Sequence, residues 1–265
     1  QSVNVALYLS DGNNEIASNY APLVPYHPLN EIWYTTTDGN VVTPNAIDVF
    51  GANIVSNTYE DSKGVIKFDG IITSIGEKAF YQCKTLKNII IPNGVNIVGE
   101  EAFGYCNEMQ SITFPKSITE VGSSIFQGCG SINTYITDIS AWCRIDFGTA
   151  DSNPLYQRAN LYLNGELVTD LVVPAGITEV KHFAFTGCQS IATLVLPEGV
   201  TTVGSEAFCH CYNLVDIQLP ETLTTLYFGA FSRTGIETIS FPAAVTELPD
   251  WIVDNCQNLT EVELP

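Results

Sequence analysis

From about Lys63 to its last residue, the chain repeats one arrangement of apolar and polar positions about every 23 residues. Each copy begins with two apolar residues separated by one position, such as Ile89 and Ile91, and a proline follows them. Later in the copy come a phenylalanine and, three residues after it, a cysteine, such as Phe103 and Cys106. A repeat of this length cannot bury its apolar face alone, so the copies are predicted to stack as a solenoid.

Each part of the repeat predicts a local structure. The alternating apolar pair indicates a short strand with these side chains inward, and the proline, which lacks an N–H, ends that strand. The next run, V-x-x-I-G, predicts a second short strand whose glycine permits a turn with positive φ. The run A-F-x-x-C predicts a single helical turn. We therefore predict an α/β solenoid of right-handed coils, with a continuous parallel sheet on the concave side and short strands and helical turns on the convex side.

The period divides the chain into two regions. Residues 63–265 are predicted to form about nine coils, and residues 1–62, which lack the period, are predicted to form a β-hairpin cap over the first coil. In the cap, residues 3–9 alternate like a strand, and residues 32–34 and 41–42 flank a turn, which predicts a hairpin. The nine predicted coil strands are 66–68, 89–91, 112–114, 135–137, 171–173, 194–196, 217–219, 239–241 and 262–264.

One coil, residues 138–174, is enlarged. It spans 36 residues where 23 are expected, and it contains several aromatic residues and the first two arginines of the chain. Near its end, the Asn-Gly pair at Asn164 predicts a hairpin.

Six of the eight cysteines occupy the same position of the repeat. A cysteine fixed by the repeat register is predicted to be a small buried apolar residue that stacks on its equivalents in the neighbouring coils. Disulfides between adjacent coils are the alternative. Cys143 and Cys209 lie outside this ladder and could be free thiols or form a bond.

The charge of the chain is low in density and strongly one-sided, with 29 acidic and 10 basic residues and a net charge of −19. Nucleic acids and anionic membranes are therefore excluded as partners, because both require a basic surface. The longest apolar runs are too short for a membrane-spanning helix. The chain starts at Gln1 rather than Met, which suggests a processed export precursor or a trimmed chain.

The motif F-x-x-C-x-x-L-x-x-I-x-I-P-x-x-V-x-x-I-G-x-x-A-F resembles the BspA-like, or treponemal-type, leucine-rich repeats over about 200 residues. Segments 30–35, 50–53, 141–143 and 153–155 also resemble segments seen beside such repeats in surface proteins of gut and oral anaerobic bacteria. The resemblance implies a leucine-rich-repeat solenoid. It also implies export of the protein, which is either held at the cell surface, usually by a lipid anchor, or secreted. It also implies adhesion to host extracellular-matrix or other cell-surface proteins, and it brings no catalytic motif and no cofactor.

A candidate binding surface follows from the strand period, because residues that alternate with the inward apolar pair must face outward from the concave sheet. This row changes from neutral to acidic along the chain. The alternative is a sheet face without a function, since Thr and Val simply suit strands. The predicted outward residues are Asn88, Ile90, Ser111, Thr113, Thr134, Ile136, Thr193, Val195, Asp216, Gln218, Thr238, Ser240, Glu261 and Glu263.

This predicted row contains no Trp, Tyr or Arg, the residue types that dominate binding energies. The enlarged coil does contain them, so Trp142, Arg144, Tyr156 and Arg158 are added to the candidate partner-binding residues. The alternative is that the aromatic side chains fill the interior of the enlarged coil.

The sequence carries no recognisable catalytic set. Cys209, His210 and Cys211 are consecutive, but alternate residues of one turn cannot all face one metal ion. No nucleophile–base set or paired catalytic carboxylates stand out. We therefore predict a non-enzymatic recognition protein, without cofactor or metal, that binds a protein through the concave sheet and the enlarged coil. A carbohydrate-binding module and a structural spacer are the alternatives.

Overall fold

The structure, a computed structural model, describes residues 27–264. Over this range the repeats form a β solenoid of about eight turns whose coils lie about 23 residues apart in sequence. The predicted solenoid is thus confirmed with about one coil fewer than the nine expected. The strand predicted at residues 3–9 lies outside the described residues.

The described residues contain twenty strands, numbered in chain order, and one short α-helix. The strands are β1 Glu31–Thr36, β2 Ile54–Glu60, β3 Lys63–Phe68, β4 Ser74–Ile75, β5 Leu86–Ile90, β6 Ile97–Val98, β7 Ser111–Thr113, β8 Glu120–Val121, β9 Asn133–Ile136, β10 Asp146–Phe147, β11 Leu161–Leu163, β12 Glu166–Leu167, β13 Asp170–Val172, β14 Glu179–Val180, β15 Thr193–Val195, β16 Thr202–Val203, β17 Asp216–Gln218, β18 Thr225–Leu226, β19 Thr238–Ser240 and β20 Glu261–Glu263. The helix, α1, spans Ile139–Trp142, and 3-10 segments span Ala150–Ser152 and Pro154–Gln157.

The long strands form three sheets along one side of the solenoid. The first has the order β12-β11-β9-β7-β5-β1-β3-β2, the second β13-β15-β17 and the third β19-β20. The prediction of one continuous sheet was therefore wrong. The sheet is interrupted at the enlarged coil and again between β17 and β19, where the repeat is one residue short, with Ile217 and Ile239 only 22 positions apart.

The cap is built differently from the predicted hairpin. Strand β1 lies between β3 and β5 and is antiparallel to both, with Trp33 opposite Val65 on one side and Ile90 on the other. Because both of its edges are occupied, β1 cannot pair with residues 41–42, which are not a strand. The hairpin of the cap is instead β2–β3. Residues 66–68, predicted as the first coil strand, lie in β3, which is antiparallel to both β1 and β2.

The opposite side of the solenoid carries two-residue strands, as the V-x-x-I-G run predicts. They form two parallel sheets, in the orders β10-β8-β6-β4 and β14-β16-β18. The glycine that follows them has a different role from the predicted one, because Gly99, Gly122 and Gly204 do not have positive φ. A Cβ on Gly204 would lie 2.5 Å from the backbone nitrogen of His182 in the preceding coil, so glycine is required by close coil-to-coil approach.

The A-F-x-x-C run forms consecutive turns rather than a helical turn. In the first copy the Tyr81 N–H donates to the Lys78 carbonyl and the Cys83 N–H donates to the Phe80 carbonyl. Gln82, between these bonds, has a φ of 59°, and this left-handed residue prevents helical continuation.

The core consists of ladders of identical residues. The phenylalanine rings of neighbouring coils stack nearly parallel, with centroids 5.5 Å apart for Phe80 and Phe103 and 5.2 Å apart for Phe185 and Phe208. Four of the six ladder cysteines donate the thiol hydrogen to a phenylalanine carbonyl of the preceding coil, whereas Cys83 donates to the Thr43 carbonyl and Cys188 contacts the Ser190 hydroxyl. The donor–acceptor pairs are Cys106–Phe80, Cys129–Phe103, Cys211–Phe185 and Cys256–Phe231.

All eight cysteines are free thiols, including Cys143 and Cys209. Burial raises the pKa of the Cys143 thiol to about 12 and that of the Cys209 thiol to about 11. The prediction of small buried residues is confirmed for Cys106, Cys129, Cys188 and Cys211, whereas Cys83 and Cys256, at the two ends of the ladder, are only partly buried.

The enlarged coil fills its own interior. Asp138 caps helix α1 by accepting hydrogen bonds from the backbone N–H groups of Ser140 and Ala141. The indole of Trp142, at the end of this helix, packs edge-on against Phe114 and Phe147. The coil ends in the predicted hairpin β11–β12, whose turn residues Asn164 and Gly165 have φ values of 52° and 86°.

Candidate recognition surface

The outward-facing side of the long strands, here called the ladder face, differs from the predicted row at strand β9. Thr134 and Ile136 are buried, and their neighbours Asn133 and Tyr135 face outward instead. The prediction for these two residues was wrong because the coil before β9 is one residue short: Ile112 pairs with Thr134, only 22 positions later. A shift of one residue moves every side chain of a strand to the opposite face.

The corrected register places a row of uncharged residues across the first sheet. Backbone pairing aligns Trp33 with Ile90, Ile90 with Thr113, Thr113 with Tyr135, and Tyr135 with Tyr162. We call these five residues the central row. It contains three aromatic residues that the sequence analysis did not place on this surface. The sequence could not place Trp33 and Tyr162 here, because β1 and β11 do not show the repeat and their pairing with the coil strands is not evident from it. It could not place Tyr135 here because the register of β9 is shifted.

The central row has large side chains at its ends and smaller ones in its middle. Tyr135 and Tyr162 stack with centroids 4.6 Å apart and an interplanar angle of 15°. Three strand spacings separate Trp33 from Tyr135, a distance of about 14 Å. Ile90 and Thr113 form the floor of the resulting trough.

The wall at Trp33 is held firmly in place. The Lys63 ammonium lies 3.1 Å from the centroid of the Trp33 ring, and the indole N–H donates to the Glu31 carboxylate over 2.7 Å. Lys67 also forms an ion pair with Glu31 at 3.3 Å. These contacts fix the rotamer of the tryptophan, so this wall of the trough is preformed.

A row of polar side chains runs beside the trough. The Asn88 amide donates to the Thr35 hydroxyl, and the Ser111 hydroxyl donates to the Asn88 amide oxygen, both over 2.7 Å. These bonds orient one amide and two hydroxyls along the floor. The floor and the polar row therefore offer apolar contact and hydrogen bonding without a formal charge.

The second half of the ladder face is acidic and more exposed. Thr193 and Val195 are half-buried, and the Thr193 hydroxyl donates to Asp170 over 2.8 Å. The later outward residues are exposed: Asp216, Gln218, Thr238, Ser240, Glu261 and Glu263. Because the sheet is interrupted before β13, these residues do not continue the central row.

The four candidates from the enlarged coil do not form one site. Trp142 is buried, and its indole N–H donates to the Ala184 carbonyl over 2.7 Å, so it cannot contact a partner. For Trp142, the aromatic side chain therefore fills the interior of the enlarged coil, which was the alternative to a binding role. Arg144 and Arg158 are exposed and Tyr156 is half-buried. Arg158 and Tyr156 meet residues of later coils rather than Trp142.

A groove of about 390 Å³ opens where the first sheet ends. It lies between the β11–β12 hairpin and strand β13 and is lined by apolar residues such as Leu167 and Val172 together with Asp170. The groove results from the interruption of the ladder, because β12 and β13 do not pair with each other.

Residues 27–264 contain no group of three or more His, Cys, Asp or Glu side chains arranged to hold a metal ion. The thiol of Cys211 points to the Phe185 carbonyl in the core, whereas the thiol of Cys209 lies 3.3 Å from Nδ1 of His210. The two cysteines thus face different directions. Within the same range, no helix has the length and apolarity needed to cross a membrane.

The stacked coils, the parallel ladders and the repeated phenylalanine and cysteine positions define a leucine-rich-repeat solenoid. Residues 44–141 and 158–265 match the protein family described as the BspA type leucine-rich repeat region, with six copies of the repeat. The chain therefore belongs to the family of BspA-type leucine-rich-repeat proteins. Proteins of this family and fold are typically not enzymes. No curated protein matches the chain significantly.

Solved structures with a similar fold come from bacterial proteins. A leucine-rich cell surface protein of Faecalibacterium prausnitzii is 19% identical, with 74% of this chain and 80% of that chain covered and a TM-score of 0.42. The pneumococcal vaccine antigen PcpA is 16% identical, with coverages of 73% and 60% and a TM-score of 0.47. A Treponema pallidum leucine-rich-repeat protein is 22% identical, with coverages of 74% and 65% and a TM-score of 0.35.

Proposed function

We propose that this chain is the recognition module of a bacterial surface protein and binds a partner protein, without catalysis, through the trough of the ladder face. The family supports surface recognition in general. The observation that carries the specific proposal is the central row, which places Trp33 and Tyr135 as walls around a floor of Ile90 and Thr113. Tryptophan and tyrosine are the residue types that contribute most to protein–protein affinity.

The width of the trough suits a segment of polypeptide. The separation of about 14 Å is measured between strand axes, and the side chains of Trp33 and Tyr135 occupy part of it. A single extended strand therefore fits better than a helix, which is about 10–12 Å across with its side chains. The polar row beside the floor can accept and donate hydrogen bonds to a backbone or to polar side chains. The floor has no formal charge, and Lys63, Lys67 and Glu31 lie beside the Trp33 wall, so we expect any salt dependence of binding to come from that wall.

Substitution of the floor tests the proposal. Thr113→Lys introduces a long charged side chain into the trough, and we expect at least a tenfold loss of affinity for the partner. Binding would be measured by surface plasmon resonance against purified extracellular-matrix proteins and surface proteins of co-resident bacteria. Thr224→Lys is the matched control, because Thr224 is exposed beside a strand of the opposite side. Equal binding by both variants and the unmodified protein would exclude the trough.

The acidic half of the ladder face is tested by the same assay. Val195→Lys alters an outward residue of β15. A loss of affinity with Val195→Lys as well as Thr113→Lys would show that the partner extends over both sheets. A loss with Val195→Lys alone would place the binding site on the second sheet and overturn the proposal for the trough.

Carbohydrate binding is a second candidate, supported by Tyr135, Tyr162 and the polar row. It is weaker, because the two tyrosine rings cover each other at 4.6 Å and leave fewer ring faces for a sugar. Of the two aromatic residues of the enlarged coil that could stack on a sugar, Trp142 is buried and Tyr156 is half-buried. Glycan-array binding that is lost with Tyr135→Ala would favour this candidate. If the chain is only a structural spacer, no surface substitution should reduce the binding of a partner.

A further inference from the structure

A cluster of cationic and aromatic side chains lies away from the ladder face, in the turns that follow the repeat phenylalanines. His210 and Arg233 occupy the same position in consecutive coils, two residues after Phe208 and Phe231. Backbone hydrogen bonds join these turns, with the His210 N–H donating to the Ser232 carbonyl over 3.0 Å. The stacked register brings Nη1 of Arg233 to within 2.9 Å of Nε2 of His210.

The enlarged coil adds an arginine from a distant part of the sequence. The equivalent position in the preceding coil is Gly187, where a Cβ would overlap the Leu155 carbonyl oxygen. The 3-10 segment Pro154–Gln157 thus packs directly on Gly187. The chain leaves this segment at Arg158, with a φ of 63°, and the Arg158 guanidinium carbon lies 4.8 Å from the centroid of the Tyr212 ring.

Aromatic rings hold the cluster together. Tyr212 lies 5.8 Å from His210 between ring centroids, and Tyr156 meets the other side of the cluster with its ring perpendicular to that of His210, at 6.3 Å. Tyr212 is exposed and His210 half-buried. A cation over an aromatic ring loses rotational freedom, so Arg158 is positioned in advance for a ligand.

The electrostatics of the cluster leave positive charge without a partner. Arg233 donates to Nε2 of His210, so this nitrogen carries no proton. Burial and the nearby guanidinium groups of Arg233 and Arg158 lower the pKa of His210. Within residues 27–264, no carboxylate oxygen lies within 4.0 Å of either arginine, since all ion pairs there involve lysines.

Two other titratable groups face the cluster. Burial raises the pKa of Glu206, and the nearby Arg233 offsets only part of this effect. The Cys209 thiol contacts Nδ1 of His210, and burial raises the pKa of this thiol to about 11, so it stays neutral. The two guanidinium groups therefore remain the dominant charges.

We propose that Arg158, His210, Tyr212 and Arg233 form a binding site for a single carboxylate group that a partner protein presents. Guanidinium groups bind carboxylates with paired charge-assisted hydrogen bonds, and Tyr212 offers a further hydroxyl. A polyanion fits less well, because residues 198–263 contain ten acidic residues beside the one base Arg233 and would repel it. The proposal extends the recognition function to a second surface, and each can fail without the other.

The test uses proton NMR of the His210 imidazole, which is one of three histidines and is assigned with a His210→Gln variant. The probe is N-acetylglutamate N-methylamide, and its glutamine analogue is the neutral control at constant ionic strength. We expect saturable shifts of the His210 signal and a higher pKa of His210 with the glutamate probe, because a bound carboxylate stabilises the imidazolium. The glutamine analogue should cause neither effect.

Charge-matched variants define the site. Arg158→Gln combined with Arg233→Gln should lower the affinity for the glutamate probe by at least tenfold. Lys84→Gln combined with Lys116→Gln removes the same charge from exposed positions elsewhere and should leave the affinity unchanged. Circular dichroism would confirm that both double variants fold. Undiminished probe binding by the arginine double variant, or absence of saturable binding by the unmodified protein, would overturn the proposal.

Two further arms separate the alternatives. Saturable binding of a heparin oligosaccharide, but not of the glutamate probe, would overturn the carboxylate proposal in favour of a sulfated glycan. Thr113→Lys should not change the affinity for the glutamate probe. The two proposals can therefore fail separately. The trough can prove wrong while the glutamate probe still binds, and the probe can fail to bind while the trough still binds its partner.

Discussion

At the scale of single residues, the phenylalanine ladder contains the largest side chains that are shared between neighbouring coils of the core. Phe208 is fully buried and stacks between Phe185 and Phe231, with centroids 5.2 Å and 5.7 Å away. We expect Phe208→Ala to lower the free energy of unfolding by about 3–5 kcal/mol, because it leaves a cavity between two rings. Urea unfolding followed by circular dichroism measures this loss.

An exposed phenylalanine of the same region serves as the control. Phe228 is 42% exposed, so Phe228→Ala should cost less than about 1 kcal/mol. Similar losses for the two variants would show that ring stacking in the core is not what stabilises the coils.

The register of β9 is testable with neighbouring residues. Thr134→Lys would bury a charge without a partner and should cost at least about 3 kcal/mol, whereas Tyr135→Lys places the charge on the ladder face and should cost much less. Urea unfolding of both variants decides between the two registers. The opposite order of losses would restore the register that a strict 23-residue period implies.

The residues that the sequence predicts correctly are those fixed by repeat position. Phe103 and Cys106 could be placed in the core because their equivalents recur in every regular coil. Tyr135 could not be placed outward, because a single missing residue before β9 changes its face without disturbing the composition of the strand. His210 and Arg233 share a repeat position, but their junction with Arg158 depends on how the enlarged coil packs.

At the scale of elements, the glycines that follow two-residue strands, such as Gly99, Gly122 and Gly204, allow neighbouring coils to approach closely. A Cβ on Gly204 would lie 2.5 Å from the His182 backbone nitrogen, which cannot move without shifting the coil. We therefore expect Gly204→Ala to lower the free energy of unfolding by about 2–3 kcal/mol. Gly130→Ala is the control, since a Cβ there meets no atom within 4 Å. Equal effects on urea unfolding would contradict the close-approach explanation.

The sequence indicates a glycine at this position but not the reason for it. A positive φ and a close backbone approach both require glycine, and a single chain does not distinguish them. Lys181 occupies the equivalent position after the enlarged coil, where its N–H donates to the Cys143 carbonyl. Tyr227 occupies the same position after β18, where its N–H donates to the Val203 carbonyl, so two places along the solenoid accept a side chain here.

At the scale of the whole molecule, the interruptions of the repeat produce the surfaces to which we assign function. The regular coils use most of their side chains for stacking. The trough forms because β1 of the cap and β11 of the enlarged coil extend the first sheet with aromatic residues. The carboxylate site forms because the same enlarged coil packs on Gly187. Neither β1 nor β11 carries the repeat, which explains why the sequence alone could not assemble either surface.

The buried thiols also give the whole molecule a specific sensitivity to alkali. Burial raises the pKa of Cys129 to about 11 and that of Cys143 to about 12, from an ordinary value of 9.0, and the pKa of Cys188 and Cys211 is raised as well. The folded chain therefore keeps these protons while the unfolded chain releases them. The associated stability is complete below about pH 9 and decreases as the pH rises toward the folded values.

Each buried thiol should reduce the free energy of unfolding by about 1.4 kcal/mol per pH unit above pH 9. Several thiols together can exceed a typical total stability of about 5–15 kcal/mol, so we expect cooperative unfolding near pH 10–11. Urea unfolding at several pH values measures the slope. Cys106→Ala combined with Cys129→Ala should make the slope shallower by about 3 kcal/mol per pH unit. Phe208→Ala should lower stability at every pH without changing the slope, and an unchanged slope in the cysteine variant would exclude the thiols as the cause.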